Sequence, residues 1–175
     1  MERIILRPYQ TEAIKKAEAE FAAGNKHVLL VMPTGCGKTI VFSSIISDWE
    51  KAGRRVLVLA HRKELLDQAQ DKLYSRFGVK SVIERGKSSI LKSNCMVCIA
   101  SMQGMSSERK LDMFPHDYFD LIIVDEAHHI TSDSYQRILT YFPDAYVLGV
   151  TATPGRSDDR PITDFFTTGP VMNTP

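Results

Sequence analysis

Cysteine is scarce in this chain, with three residues in 175 at positions 36, 95 and 98. An odd count gives no tidy disulfide framework. Long hydrophobic runs are missing as well: no apolar stretch approaches the roughly 20 residues a helix needs to span a bilayer. Met1-Glu2-Arg3-Ile4-Ile5-Leu6 turns polar too soon to act as a secretion signal. The expectation is a cytoplasmic protein in a reducing setting, with no membrane partner. Neither sign of charge dominates: 22 Lys and Arg face 21 Asp and Glu, a formal net charge of +1. That argues against bulk electrostatic binding of nucleic acid as a stand-alone activity and leaves local basic patches open. Cys95-Met96-Val97-Cys98 has the C-x-x-C spacing, but it runs into an apolar segment, Met96 to Ala100, that reads as a strand. Residues three apart on a strand face opposite ways, and no second C-x-x-C or H-x-x-x-H accompanies the pair, so a zinc or redox role is not expected.

The hydrophobic fraction of 43% and charged fraction of 25% are ordinary for a globular protein, and 175 residues suffice for one domain with a real core. The chain is organised around Val28-Leu29-Leu30-Val31-Met32-Pro33-Thr34-Gly35-Cys36-Gly37-Lys38-Thr39. A short apolar run is broken by Pro33 and two glycines. A helical pattern follows, with Val41, Ile45 and Trp49 on one face. This reads as strand, phosphate-binding loop, helix. Glycines let backbone N–H groups turn inward around a phosphate. Lys38 brings a mobile positive charge to the β- and γ-phosphates, and the Thr39 hydroxyl suits Mg²⁺. The helix N-terminus adds its positive dipole end. The general template G-x-x-x-x-G-K-S/T asks for glycine where this chain has Met32. A glycine-rich corner without ligand is the plainer alternative, but Gly-x-Gly-Lys-Thr directly after an apolar strand favours the phosphate reading. Cys36, inside this loop, is expected to be alkylatable and protected by nucleotide.

The rest of the chain alternates. Arg7-Pro8-Tyr9-Gln10 opens a helix with Ala13, Ile14, Ala17 and Phe21 at helical spacing, stopped by Gly24-Asn25. Arg55 to Ala60 is a second continuous apolar run. A helix follows with Leu65, Leu66, Ala69, Leu73 and Phe77, ended by Gly78. Val79 to Ile83 is a weaker strand, Met96 to Ala100 another, Phe119 to Val124 a strong one, and Ala145 to Val150 the last. Between the final two, Tyr135, Ile138, Leu139 and Phe142 mark an amphipathic helix. After Gly155 the apolar pattern thins, and the end has the look of a linker. Strands apolar throughout belong to a sheet buried on both faces, and alternation with helices makes that sheet parallel. The fold class is therefore α/β: a three-layer sandwich with a mostly parallel central sheet and helices on both faces.

Ligands of such sheets bind at the carboxyl ends of the strands. Those ends carry Lys38, His61-Arg62, Ser101 and Gln103, Asp125-Glu126, and Thr151 and Thr153. They come from five strands and would gather on one edge. Phosphoryl transfer needs a carboxylate near Mg²⁺ and a group to orient or deprotonate the attacking water. Asp125 is the candidate for the metal side, partly through water, and Glu126 for the base. Two acidic residues capping a turn would be the plainer reading, but Lys38-Thr39 in the same chain weighs against it. His128 and His129 are placed to contact the γ-phosphate or to relay a change of state, or are simply surface histidines. Thr151 and Thr153 can hydrogen-bond across to the carboxylates, or cap the turn before Pro154. His61-Arg62-Lys63 can grip a phosphodiester backbone or start an exposed helix.

Together these residues resemble a superfamily-two helicase or translocase. Arg7-Pro8-Tyr9-Gln10 is similar to that family's adenine-recognition segment, with Gln10 at the base and Arg7 nearby. Pro33 to Thr39 (Pro33, Thr34, Gly35, Cys36, Gly37, Lys38, Thr39) resembles its motif I, where Met32 for the first glycine is a common variation. Leu59 to Leu65 resembles motif Ia, Ile99 to Gln103 the next strand-contacting motif, Asp125-Glu126-Ala127-His128 motif II, and Thr151-Ala152-Thr153-Pro154 motif III, which couples hydrolysis to strand movement. The spellings at Ala60 to Leu65 and Thr151 to Pro154 are unlike those of DEAD-box RNA helicases. They look more like the group of restriction subunits and DNA repair helicases.

The resemblance implies a RecA-like P-loop domain over residues 1–165, with 166–175 a linker toward a second RecA-like domain. It implies ATP and Mg²⁺ as cofactors. Lys38, Asp125, Glu126 and His128 would be catalytic, Thr39 and Asp125 would serve the metal, His61, Arg62, Ser101 and Gln103 would touch nucleic acid, and Thr151 and Thr153 would couple. Duplex or single-stranded DNA is the favoured partner and RNA is possible. Arginines from a second domain would complete the site, so the single domain is expected to bind ATP and turn it over very slowly. Two alternatives stay open: an RNA helicase or RNA-dependent ATPase, and a non-motor P-loop kinase or binding module. The last would need neither Glu126 as a base nor motifs Ia and III.

Overall fold

The computed structural model describes residues 4–33, 35–130, 132–152 and 166. Thr34 and Thr153, both named above, lie outside these, as does most of the expected linker.

The elements run α1 (Pro8–Ala22), β1 (His27–Val31), α2 (Lys38–Lys51), β2 (Val56–Ala60), α3 (Leu66–Phe77), β3 (Ser81–Ile83), β4 (Val97–Ser101), α4 (Met102–Met105), α5 (Glu108–Leu111), β5 (Leu121–Asp125), α6 (Asp133–Tyr141) and β6 (Tyr146–Thr151), with 3₁₀ turns at Lys63–Leu65, Ile90–Lys92 and Ala127–His129. The six strands form one sheet in the order β1-β6-β5-β2-β4-β3. Every pairing is parallel, which sharpens the expected "mostly parallel" sheet.

The pleat sorts successive strand residues between two cores. Val28, Leu30, Val56, Val58, Ile123 and Leu148 meet Ala13, Ala17 and Phe21 of α1, Ile45 and Trp49 of α2, and Leu66 and Leu73 of α3. Leu29, Leu57, Leu59, Ile122, Val124 and Val147 meet Met102 of α4, Leu111 of α5, and Tyr135 and Ile138 of α6. Burial on both faces is why these strands read as unbroken apolar runs. β3 is shorter than its apolar stretch suggested: Val79 is buried but precedes the strand, and the strand holds only three residues at the sheet edge.

The two four-residue helices α4 and α5 were not anticipated. Each is too short to show a period and is set by a serine: Gly104 N donates to Ser101 Oγ at 3.0 Å, and Lys110 N to Ser107 Oγ at 3.3 Å.

Beside α5 sits a buried charge. Glu84, just past β3, has a side chain with 0% exposure. Its Oε1 accepts from Ser89 Oγ at 2.7 Å and Ile90 N at 2.6 Å, and its Oε2 accepts from Lys110 Nζ at 2.8 Å. The carboxylate ties the 85–92 turn and α5 to the sheet edge. Lys110→Met would leave that charge buried without its partner and is expected to destabilise the fold by about 3–5 kcal/mol. Glu84→Gln combined with Lys110→Met is expected to cost less, and urea denaturation midpoints of the two variants check the difference. Cys98 lies nearby. Burial first, and the Glu84 charge second, push its thiol well up, so it is an inert core residue. Cys95 precedes β4 and is only partly buried. Among the described residues no group of three or more His, Cys, Asp or Glu side chains is gathered to hold a metal ion by itself, and no helix is long and apolar enough to cross a membrane.

Candidate nucleotide site

With all strands parallel, their carboxyl ends share one edge. The strand order then selects which ends touch. β6 lies between β1 and β5, with Val31 paired to Thr151 and Asp125 to Val150. The loop after β1 is thereby brought beside the acidic turn after β5, although 88 residues separate Lys38 from Glu126.

The loop begins at Met32, whose side chain is fully buried in the α1–α3 core and whose N–H donates to Thr151 O at 2.9 Å. That packing explains a large apolar residue where the template has glycine. Cys36 N donates to Pro33 O at 3.1 Å to close the turn. Gly37, the residue capping α2, has φ of 74° and lies so close to Gln10 that a β-carbon would collide with its amide. Glycine is therefore required there on both counts. No side chain caps α2, so its first N–H groups are left for a ligand.

Lys38 Nζ donates to Glu126 Oε1 at 2.7 Å and stands 3.7 Å from Asp125 Oδ1. Glu126 N donates to Asp125 Oδ1 at 2.9 Å. The two neighbouring carboxylates are pushed in opposite directions. Burial raises the Asp125 carboxyl above its usual range, against the pull of Lys38. Burial also acts to raise Glu126, but the bond to Lys38 and the charges of Lys38, His128 and His129 outweigh it and hold that carboxyl below the usual range. Glu126 has φ of 54°, the sole positive φ outside glycine among the described residues. Strain of that kind gathers at functional turns.

His128 Nδ1 shares a hydrogen bond with Thr151 Oγ1 at 3.1 Å and lies 3.5 Å from Glu126 Oε2. Lys38, Asp125, Glu126, His128 and Thr151 are thus one contact group. Gln10 sits beneath the loop, buried: its Oε1 accepts from Arg7 N at 2.9 Å and its Nε2 donates to Cys36 O at 3.2 Å, while Tyr9 Oη donates to the same carbonyl at 3.0 Å. Tyr9 is a second buttress of the loop that the sequence did not single out. The hydroxyl of Tyr135 was missed too. It is buried with no hydrogen-bond partner among the described residues. Burial, then the charges of Asp125 and Glu126, push it up. In sequence it read only as one apolar position of α6.

The candidate nucleic-acid residues separate. Arg62 and Gln103 are exposed. Ser101 is buried and spends its hydroxyl capping α4, and the ring of His61 stacks on His129. Thr39 lines a cleft with Ser43, Lys72, Arg76 and Phe77. A cavity of about 750 Å³ between α5 and α6 contains none of these groups.

An uncapped helix N-terminus, a left-handed glycine and a lysine together form an anion cradle. Asp125, Glu126 and Thr39 are hard oxygen donors of the kind Mg²⁺ takes, and that ion usually keeps waters and substrate phosphates as most of its ligands. The residues present fit a Mg²⁺-nucleoside triphosphate.

A family model described as type III restriction enzyme, res subunit, matches residues 3–156. The chain is 34% identical over 169 residues to the type I restriction enzyme EcoAI endonuclease subunit of Escherichia coli, covering 91% of this chain and 21% of that protein. It is 31% identical over 159 residues to the DNA 3′–5′ translocase XPB2 of Sulfurisphaera tokodaii, covering 91% and 33%. The solved UvsW helicase from bacteriophage T4 superposes with a TM-score of 0.74 at 17% identity, over 94% of this chain and 59% of that one, a likeness of the RecA-like fold. The chain spans less than two-fifths of the length of the two restriction and translocase relatives.

Proposed function

We propose, for a chain that belongs to the type III restriction enzyme res subunit family, that it is the ATP-binding motor domain of a helicase or translocase acting on DNA. The observation that carries this reading is Lys38, at the uncapped start of α2, held on Glu126 across β6. A relative named as a DNA 3′–5′ translocase favours DNA over RNA.

The chain's own groups divide the work. Gly35, Gly37 and the first N–H groups of α2 cradle the phosphates. Lys38 exchanges Glu126 for phosphate oxygens, and the released Glu126 carboxylate accepts the proton of the attacking water. Thr39 and Asp125 would hold Mg²⁺, which when bound neutralises charge on the phosphate oxygens. The opposite displacement of the two carboxylates suits this division, with the base kept ionised and its neighbour buried. His128 and Thr151 orient Glu126 from the far side. Arg7 and Gln10 read the adenine, and Arg62 and Gln103 touch the nucleic-acid backbone. A second RecA-like domain supplies arginines to the transferred phosphate. Such a residue is worth roughly 10³–10⁵ in rate, so the domain alone binds ATP and hydrolyses it slowly.

The test is titration calorimetry of ATP and GTP with Mg²⁺. Selective binding of ATP is expected. Because Gln10 belongs to the segment that resembles an adenine reader and also buttresses Cys36, Gln10→Ala is expected to erase the preference for adenine and weaken both nucleotides. No ATP binding by the unaltered chain would refute the assignment. A Gln10→Ala profile identical to wild type would refute the adenine role alone.

A further inference from the structure

The end of β2 and the turn after β5 meet ring on ring. His61, the first residue past β2, lies flat on His129, with ring centroids 3.9 Å apart and planes inclined by 11°. His129 lies 4.1 Å from His128, whose Nδ1 is 3.5 Å from Glu126 Oε2. Glu126 is bonded to Lys38 at 2.7 Å. A continuous line of contacts therefore runs from the phosphate loop, across the ends of β5 and β2, to His61. Beyond His61 the chain passes directly into Arg62 and Lys63, both exposed.

One detail shows what His61 contributes. Its Nδ1 is buried and has no hydrogen-bond partner among the described residues. A histidine kept for its nitrogens would not leave one buried and empty. The ring face is the part in use.

The line also contains a strained element. Glu126 holds a left-handed conformation that non-glycine residues keep only where surrounding contacts impose it. One of those contacts is Lys38, which has to leave when phosphate arrives. The turn carrying His128 and His129 is then freed to settle differently, and His61 rides on it.

We infer that the His61–His129 stack is a positioning element that transmits the occupancy of the nucleotide site to the basic turn at Arg62-Lys63, and thereby sets how that turn meets nucleic-acid phosphates. The inference rests on the ATP reading above. By linkage, phosphates gripped at that turn would act back on Glu126 to the same extent in binding terms.

The experiment is an NMR titration of the ¹⁵N-labelled chain with ATPγS and Mg²⁺, paired with calorimetry on the same samples. In the wild type, the amides of Arg62 to Leu66 are expected to shift as the site fills. His129→Ala is expected to bind nucleotide and lose that response. His129→Phe, which preserves a flat ring for His61, is expected to restore it, whereas a merely structural filler would be replaced equally well by His129→Leu. Should His129→Ala fail to fold, the comparison of Phe with Leu still decides. The inference is overturned if nucleotide binds and the 62–66 amides do not respond, if they respond in His129→Ala, or if Leu restores the response as Phe does. Absence of any calorimetric binding would instead bring down the ATP reading, and this inference with it.

Discussion

Glu126→Gln is expected to lower ATP turnover by about 10²–10⁴-fold, the usual contribution of a positioned general base, while binding ATP slightly more tightly than wild type. The second half of that expectation comes from the ion pair. Lys38 is engaged with Glu126 at 2.7 Å, so the carboxylate competes with phosphate for the same ammonium group. A neutral amide competes less. Single-turnover hydrolysis with protein in excess over radiolabelled ATP resolves the rate even where the basal turnover is slow. A loss below tenfold, or a loss accompanied by weaker binding, would remove Glu126 from the role of base.

The pH profile follows from the same contacts. The Glu126 carboxyl is held below its ordinary range, so its pairing stabilises the fold above the unfolded-state pKa, near 4.3 for glutamate, and that contribution disappears as pH falls through the lower folded value. The base is ionised throughout the neutral range. Turnover is accordingly expected to stay level between about pH 6 and 8 as far as Glu126 is concerned, and to fall only toward the carboxylate range. Asp125 works in the opposite direction. Its carboxyl is raised by burial, so it favours the fold in its protonated form and loses that advantage as pH rises through its folded value.

Lys38→Ala is the second large effect. Hydrogen bonds to a charged group are worth about 1.5–3 kcal/mol each, which corresponds to a loss of roughly 10–150-fold in ATP affinity. Stability is expected to change little, because both partners of the Lys38–Glu126 pair are partly exposed, at 19% and 38% of their side chains, and exposed pairs contribute about 1 kcal/mol or less. Calorimetry alongside a thermal melt checks both parts. Near-normal affinity would mean that the loop amides of α2 carry the phosphates without the ammonium, and a collapse of the melting temperature would make Lys38 a structural residue first. The two variants thus move nucleotide affinity in opposite directions, which a nonspecific disturbance of the edge would not do.

The sequence made legible whatever is repeated along neighbouring residues. β1, β2, β5 and β6 each hold an unbroken apolar run because both faces are covered, and α1, α2, α3 and α6 each carry a recognisable stripe. The site edge followed, since polar residues closing apolar runs in a parallel sheet have nowhere else to gather. What stayed hidden depends on contacts between distant residues. Glu84 is an ordinary charge in sequence, and its burial becomes explicable only once Lys110, 26 positions on, is placed against it. The face-to-face contact of His61 with His129 needs β2 and β5 to be neighbours, which strand order decides and local pattern does not. Met32 departs from the general glycine template, and only the structure shows that it is a core residue. The left-handed turn at Glu126 has no signature, because it is imposed on a residue that would not choose it. Phe166, placed by its sequence in a linker, is buried against Gly149 and Ala127 and would collide with any β-carbon at Gly149. Nothing in its neighbours' composition announces that.

The chain's only tryptophan lies where the helices and strands turn at the edge opposite the site. Trp49 packs edge-on against Phe21 and Tyr146, at 5.7 and 5.6 Å between ring centroids, with its Nε1 donating to Glu18 at 3.1 Å and the Arg54 guanidinium over its face at 4.8 Å. Its fluorescence is thus a single-site optical gauge of the fold. The indole is shielded and rigid in the native state, red-shifted once the chain opens, and remote from any ligand at Lys38. An emission change on heating or in urea reads global unfolding with no labelling. The same signal standing still during a nucleotide titration separates a site that fills from a domain that rearranges.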